Sequence, residues 1–282
     1  MKLKKLLLYA ILGLFILGQS ACKKDNTSND NSNEIETTFD LSSKQSISES
    51  LTDDVNNILN EVVIQENLQG SRIPQISQNN TCGAVTTSPG GFPKTITIDF
   101  GSGCSNIGSS VVRKGVIHVE LTNYFRTTGS IATVTFDSFY VNGYKKEGTI
   151  KWTNTTTNPD TIKWDREAIN VKITAPNNSN YWFHSGIKHI AQIEGSNTPN
   201  IRIDDVYSIT GSSTTTNSSG ISRNATIQIP LHKKVTWDHI DRGSILFQGP
   251  NHNALLDFGN GTDDAIATIS VDGYTPRTIT LP

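Results

Sequence analysis

The chain has 282 residues, with 24 Lys and Arg against 26 Asp and Glu and a formal charge of −2. That balance offers no basic surface for nucleic acid. The length is sufficient for one large hydrophobic core or two smaller ones.

In chain order, Lys2, Lys4 and Lys5 precede an uncharged apolar run from Leu6 to Leu17. A run of that length is too short to cross a bilayer comfortably but suits the apolar core of a signal peptide, which we place at residues 1–21. Removing it takes three lysines, so 21 basic residues face 26 acidic ones and the remaining chain carries −5. The segment Gln19-Ser20-Ala21 before Cys22 resembles a bacterial lipobox, although the usual leucine is displaced to Leu17. That resemblance implies that Cys22 is lipidated and that the chain is partnered with a membrane through its N-terminal lipid. Lys23 to Thr38 holds Ile35 as its only apolar residue, too little to offset the entropy of ordering, which predicts a polar tether over 22–40. The Cys22-Lys23-Lys24-Asp25 junction resembles that of Bacteroidota lipoproteins, which implies the outer membrane, facing either the periplasm or the cell surface.

With Cys22 acylated, Cys82 and Cys104 remain in an oxidising compartment, where two thiols most economically pair. A disulfide closing that loop contributes about 3 kcal/mol in the chain-entropy model. Ile47, Leu51, Val55, Ile58, Leu59, Val62 and Val63 then recur at steps of three and four. They predict one amphipathic helix over 41–70 that lays a single apolar stripe on the domain behind it.

From Lys94 the period changes to two. Ile117, Val119 and Leu121 alternate with His118 and Glu120, and similar alternation covers Ile221 to Ile229 and Ala265 to Val271. These are half-buried strands. The apolar parity switches between Val134-Phe136 and Phe139-Val141, which predicts a bulge at Asp137 and Ser138, and a second switch separates Trp164 from Ile169. Closely spaced turn signals favour antiparallel meander connections, because parallel strands need long crossovers. The fold class expected over 71–282 is therefore all-β, an antiparallel meander or sandwich-like domain, with a division into two packed halves near 175–200 left open.

Three features invite a functional reading. Thr149-Ile150-Lys151-Trp152 and Thr161-Ile162-Lys163-Trp164 flank a turn, so a hairpin could present two tryptophans to a sugar. Trp182, in the aromatic stretch Tyr181 to His184, extends that candidate ligand surface, although core placement is the commoner role of such rings. Asp257, Asp263 and Asp264 could collect calcium, but their spacing misses the usual loop, and turn chemistry explains the repeated Asp-Phe-Gly-x-Gly better. The third feature is histidine, six in number and without zinc spacing. The chain also lacks a nucleophile elbow, a His-Glu-x-x-His helix and a phosphate-binding glycine loop. No catalytic residue, metal site or cofactor is expected.

The segments around Asp99-Phe100-Gly101, Val112 to Phe125, Gly129 to Trp152 and Leu255 to Leu281 are similar to a group of uncharacterised β-rich lipoproteins of Bacteroidota. The similarity extends over about residues 80–282 and implies fold and location without a reaction. Members often carry a cysteine in the second Asp-Phe-Gly segment, where this chain has Thr262 and Asp263. Two function classes remain: a noncatalytic binding or structural domain on an outer-membrane anchor with a glycan or protein partner, and, as the alternative, a carbohydrate-active enzyme or glycan-binding module.

Overall fold

The computed structural model describes residues 27–70, 81–158, 160–199 and 201–282. The leader and Cys22 lie outside them. Among the described residues the fold is all-β, with one α-helix near the N-terminus followed by thirteen strands in a single antiparallel meander. Helix α1 spans Thr27–Gln65. The strands are β1 (Ala84–Thr87), β2 (Lys94–Asp99), β3 (Arg113–Leu121), β4 (Ile131–Val141), β5 (Tyr144–Asn154), β6 (Lys163–Thr174) and β7 (Tyr181–Glu194). They continue as β8 (Val206–Asn217), β9 (Ser222–Lys234), β10 (Arg242–Gln248), β11 (Asn253–Asn260), β12 (Ile266–Val271) and β13 (Arg277–Thr280). Every strand pairs with its neighbours in sequence, so there is one continuous sheet and one core cluster rather than two packed halves.

The alternation read from the sequence is the inward set of this sheet. Ile96 and Ile98 on β2 pair across to Val119 and Ile117 on β3, and all four are buried. The two parity switches are real. Pairing of β4 with β5 slips between Thr135 and Phe139, where Ser138 has φ 46°, and β6 slips against β7 between Ala168 and Val171, where Asn170 has φ 46°. Further slips at Lys114/Val116, Glu147/Thr149 and Ile209/Ser212 continue the irregularity from strand to strand. Bulges bend the strand that carries them and increase its twist, so a series of them across a sheet curls it. Gly115 permits one such bend: at φ 86° it faces β4 so closely that a Cβ would lie 1.9 Å from the Ser138 carbonyl oxygen.

The sheet curls around α1, and this corrects two expectations. The helix begins at Thr27 rather than near 41, so 27–40, read as tether, is helical, with Ile35, Thr38 and Phe39 buried. Nor does α1 pack through one stripe. Leu51, Val55, Leu59 and Val62 are buried, but so are Gln45, Ser48, Glu49, Thr52, Asp53 and Asn56 on the other faces. The physical reason is that the sheet supplies partners where solvent was assumed. The α1 sequence carries eight acidic residues and one lysine, and inward-pointing bases meet them. Glu49 lies 3.1 Å from Arg166 on β6 and 3.0 Å from Lys188 on β7. Asp54 pairs with Arg113 on β3 and Asp53 lies 3.4 Å from Lys233 on β9, while outside the interior, in solvent, Glu36 pairs with Arg277 on β13. Bonds to uncharged groups fill the intervals: Lys146 donates to Thr52 at 2.7 Å, and Gln45 donates to Ser213 at 2.9 Å.

Burial alone would raise the Glu49 carboxyl, but Lys188 and Arg166 beside it pull it down to about 2. Removing one member of such a group leaves buried charge uncompensated, which costs roughly 3–5 kcal/mol, whereas replacing the whole group by apolar residues is often neutral. Glu49→Ala should therefore lower unfolding free energy by about 3–5 kcal/mol in urea titration, and adding Arg166→Met with Lys188→Met should recover most of it. A loss below about 1 kcal/mol for Glu49→Ala would contradict a paired, desolvated carboxylate.

Candidate functional site

The three tryptophans singled out from sequence do not form a surface. Trp152, Trp164 and Trp182 are 1%, 3% and 2% exposed. Each indole N–H is spent inside: on Asn56 Oδ1 at 3.2 Å, on the Phe125 carbonyl at 3.3 Å and on Ser48 Oγ at 2.9 Å. The expected hairpin does exist, with Trp152 opposite Arg166 and Trp164 opposite Asn154. A buried tryptophan gains most from area and needs one acceptor, which α1 supplies to Trp152 and Trp182, while Trp164 packs against Phe125 and Tyr207. The predicted ligand role of these residues is thereby corrected to a core role.

The acidic trio behaves as turn chemistry. Asp257 accepts the Gly259 N–H at 2.8 Å, as Asp99 accepts that of Gly101 at 2.7 Å, so the two Asp-Phe-Gly segments share one local geometry. Asp264 accepts from Thr262 Oγ1 at 2.6 Å and from the Ile266 N–H at 2.9 Å, while Asp263 is exposed. Among the described residues no group of three His, Cys, Asp or Glu is arranged to hold a metal ion. Cys82 and Cys104 are bonded, their sulfurs 2.14 Å apart.

His184, His232 and His239 are buried, whereas His189 is exposed. His184, on the buried face of β7 while Tyr181 and Phe183 point out, is held down to about 3 by burial. His232 makes a 2.7 Å contact with Asp241.

What the structure does assemble lies at one rim of the curled sheet. Three loops, residues 100–112 between β2 and β3, 201–205 before β8, and 235–241 between β9 and β10, converge over the C-terminal half of α1. They enclose a cleft of about 300 Å³ lined by Glu61, Asn106, Ser109, Arg202, Val235 and Asp238. The disulfide holds the first loop, and inside it Asn106 Oδ1 accepts the Cys82 N–H at 2.9 Å while its amide donates to Glu61 Oε2 at 3.3 Å. Arg202 Nη1 donates to the Asn57 carbonyl at 3.0 Å and lies 3.3 Å from Glu61 Oε1, but its Nε and Nη2 are buried without a partner. Ser109 donates to Asp238 at 3.2 Å. Ile107 and Ile203 stand at the mouth as strongly exposed apolar side chains. Burial raises the Glu61 carboxyl against the opposing pull of Arg202.

Sequence reasoning missed this cleft. Its residues are scattered between positions 61 and 238, and only the disulfide hinted that the first loop is held in place. Comparison of the chain with protein-family models, with curated proteins and with solved structures finds no match.

The second loop rests on Asp205, which accepts from Gln192 Nε2 at 2.7 Å and from the Tyr207 hydroxyl at 3.2 Å. Burial pushes its carboxyl up from 3.8 to about 7, outweighing the downward pull of Arg202, Tyr207 and Arg126, with Asp204 adding to the rise. A carboxyl whose folded pKa is raised binds its proton more tightly folded than unfolded. Its contribution is complete below about pH 4 and is lost as pH climbs toward 7. Asp205→Asn should flatten that part of the stability profile and raise stability at pH 8 by about 1–3 kcal/mol, measured as urea midpoints across pH. Parallel profiles for the two proteins would exclude a buried proton at this position.

Proposed function

We propose that the chain is an outer-membrane lipoprotein, anchored through an acylated Cys22, whose β domain is a noncatalytic binding module facing the periplasm or the cell surface. The observation that carries this reading is the filling of the sheet by α1. An interior occupied by the chain's own helix has no room for a ligand, so recognition falls to the rim cleft and the outer faces. The lipobox-like Ser20-Ala21-Cys22 and the apolar run before it support the anchor. The helix starts five residues after Cys22, and five residues reach at most about 17 Å. The anchor therefore runs almost directly into the core element and holds the module close to the bilayer.

The outward face argues for a domain beside the membrane rather than strands within it. Lys114, Glu120, Lys145, Lys151, Lys163 and Glu167 alternate with buried neighbours on β3, β5 and β6. Charges of that density on a lipid-facing surface would each cost kilocalories. No described helix is long and apolar enough to cross a bilayer.

A carbohydrate-active enzyme draws on one observation, the presence of Glu61 and Asp238 in the same cleft. Both carboxylates already hold protein donors, and Trp152, Trp164 and Trp182 are buried and offer no stacking surface, so the binding reading is the stronger. Mass spectrometry of the mature protein should find an acylated Cys22 as its first residue, and Cys22→Ala should move the protein out of the outer-membrane fraction. An unacylated N-terminus, or a variant that stays with the membrane, would defeat the anchor.

A further inference from the structure

The rim cleft combines three chemistries that a single small molecule can satisfy together. One is a guanidinium edge: Arg202 Nε and Nη2 are buried and unpartnered, while Nη1 is occupied by the Asn57 carbonyl and Glu61. Side by side, Nε and Nη2 form a fork that donates two parallel bonds to a carboxylate once a small turn of the side chain, 12% exposed, brings that edge into the cleft. The second is Asp238, whose only side-chain donor among the described residues is Ser109, at 3.2 and 3.4 Å to its two oxygens. A carboxylate offers about four acceptor positions, so Asp238 retains capacity for a cation. The third is the apolar mouth, where Ile107 and Ile203 are strongly exposed and Val235 also lines the cleft.

We propose that this cleft binds a small zwitterion of the apolar amino-acid type. Its carboxylate lies on the Arg202 fork, its ammonium lies on Asp238, and its side chain covers Ile107 and Ile203. The cleft, at about 300 Å³, matches the lower end of small-molecule sites, which favours a free amino acid over a longer peptide. A purely anionic ligand would face Glu61 and Asp238 together, and a purely cationic one would face Arg202, so the site selects for both signs at once. The inference rests on the binding-module reading and names the ligand class for it.

The test is titration of the full-length protein with L-leucine, leucinamide and N-acetyl-leucine, followed by the indole resonance of Trp237, the neighbour of Asp238. The indoles of Trp152, Trp164 and Trp182 serve as buried references. Leucine should shift the Trp237 signal saturably, and each capped analogue should bind about tenfold or more weakly, since loss of one charge-assisted contact is worth at least 1.4 kcal/mol. Arg202→Lys keeps the charge beside Glu61 but loses the fork, and it should abolish the preference for leucine over leucinamide. Asp238→Asn keeps an acceptor for Ser109 and should abolish the preference over N-acetyl-leucine. A merely structural role for either residue would weaken all three ligands alike. Equal binding of the three, a penalty for only one cap, or no saturable shift at about 10 mM leucine would each overturn the proposal. None of these outcomes bears on acylation at Cys22, and an unacylated N-terminus would leave the titration result standing.

Discussion

The carboxylate of Glu49, held between Arg166 and Lys188 at the centre of the molecule, represents the constraint on which the rest depends. A helix bearing eight acids and one lysine cannot be enclosed by an apolar sheet, because each unpaired charge would cost several kilocalories to desolvate. It can be enclosed by a sheet whose inward positions include Arg113, Lys146, Arg166, Lys188, Arg223 and Lys233, all buried. Such pairs contribute little net stability over a hydrophobic equivalent. What they set is register, since a helix rotated or shifted by one residue would face its acids toward Ile150, Trp182 or Leu231 instead of toward bases. We therefore read the interior as specified by charge complementarity and stabilised by the apolar remainder, chiefly Leu51, Val55, Leu59 and Val62.

Curvature follows from the same requirement. Bases on β3, β5, β6, β7, β9 and β13 can reach one helix only if the sheet bends around it, and the chain of bulges at Gly115, Ser138, Gly148 and Asn170 supplies the bend. A sheet curled around a solid axis has no lumen for a ligand. Its functional positions are displaced to the rim, where loops run from strand to strand and the end of α1 forms the floor. The disulfide lies in that rim, behind the loop that carries Asn106 into the cleft.

Much of the sheet was legible in the sequence because alternation with period two is a direct image of a one-sided core. The hairpin carrying Trp152 and Trp164, both bulges and the Cys82–Cys104 pair could all be read from residues close in sequence or unique in type. The surroundings of α1 could not be read the same way. A polar helix face looks identical whether it meets water or buried bases, and the single-stripe reading gave the face opposite the stripe no partner in the sheet. The signal that could have decided it was parity: Lys146 shares its face with Ile150 and Trp152, and Arg166 shares its face with Trp164 and Ala168. Bases inside an apolar set require acids from elsewhere, and the only acid-rich segment nearby is the helix. The same reasoning would have buried the tryptophans, whose indole N–H groups end on the helix residues Asn56 and Ser48 and on the Phe125 carbonyl. The rim cleft had no comparable image, because it joins a helix end to three loops with no shared periodicity.

Native-state hydrogen exchange of the α1 amides around Glu49 and Asp53 tests most directly whether the helix is the axis on which the sheet is built. If it is, those amides exchange only through global unfolding, with the same free energy as the most protected amides of β5, β6 and β7. Exchange of α1 through a local opening several kcal/mol cheaper than that of the strands would mean that the sheet stands without its helix, and would contradict the account.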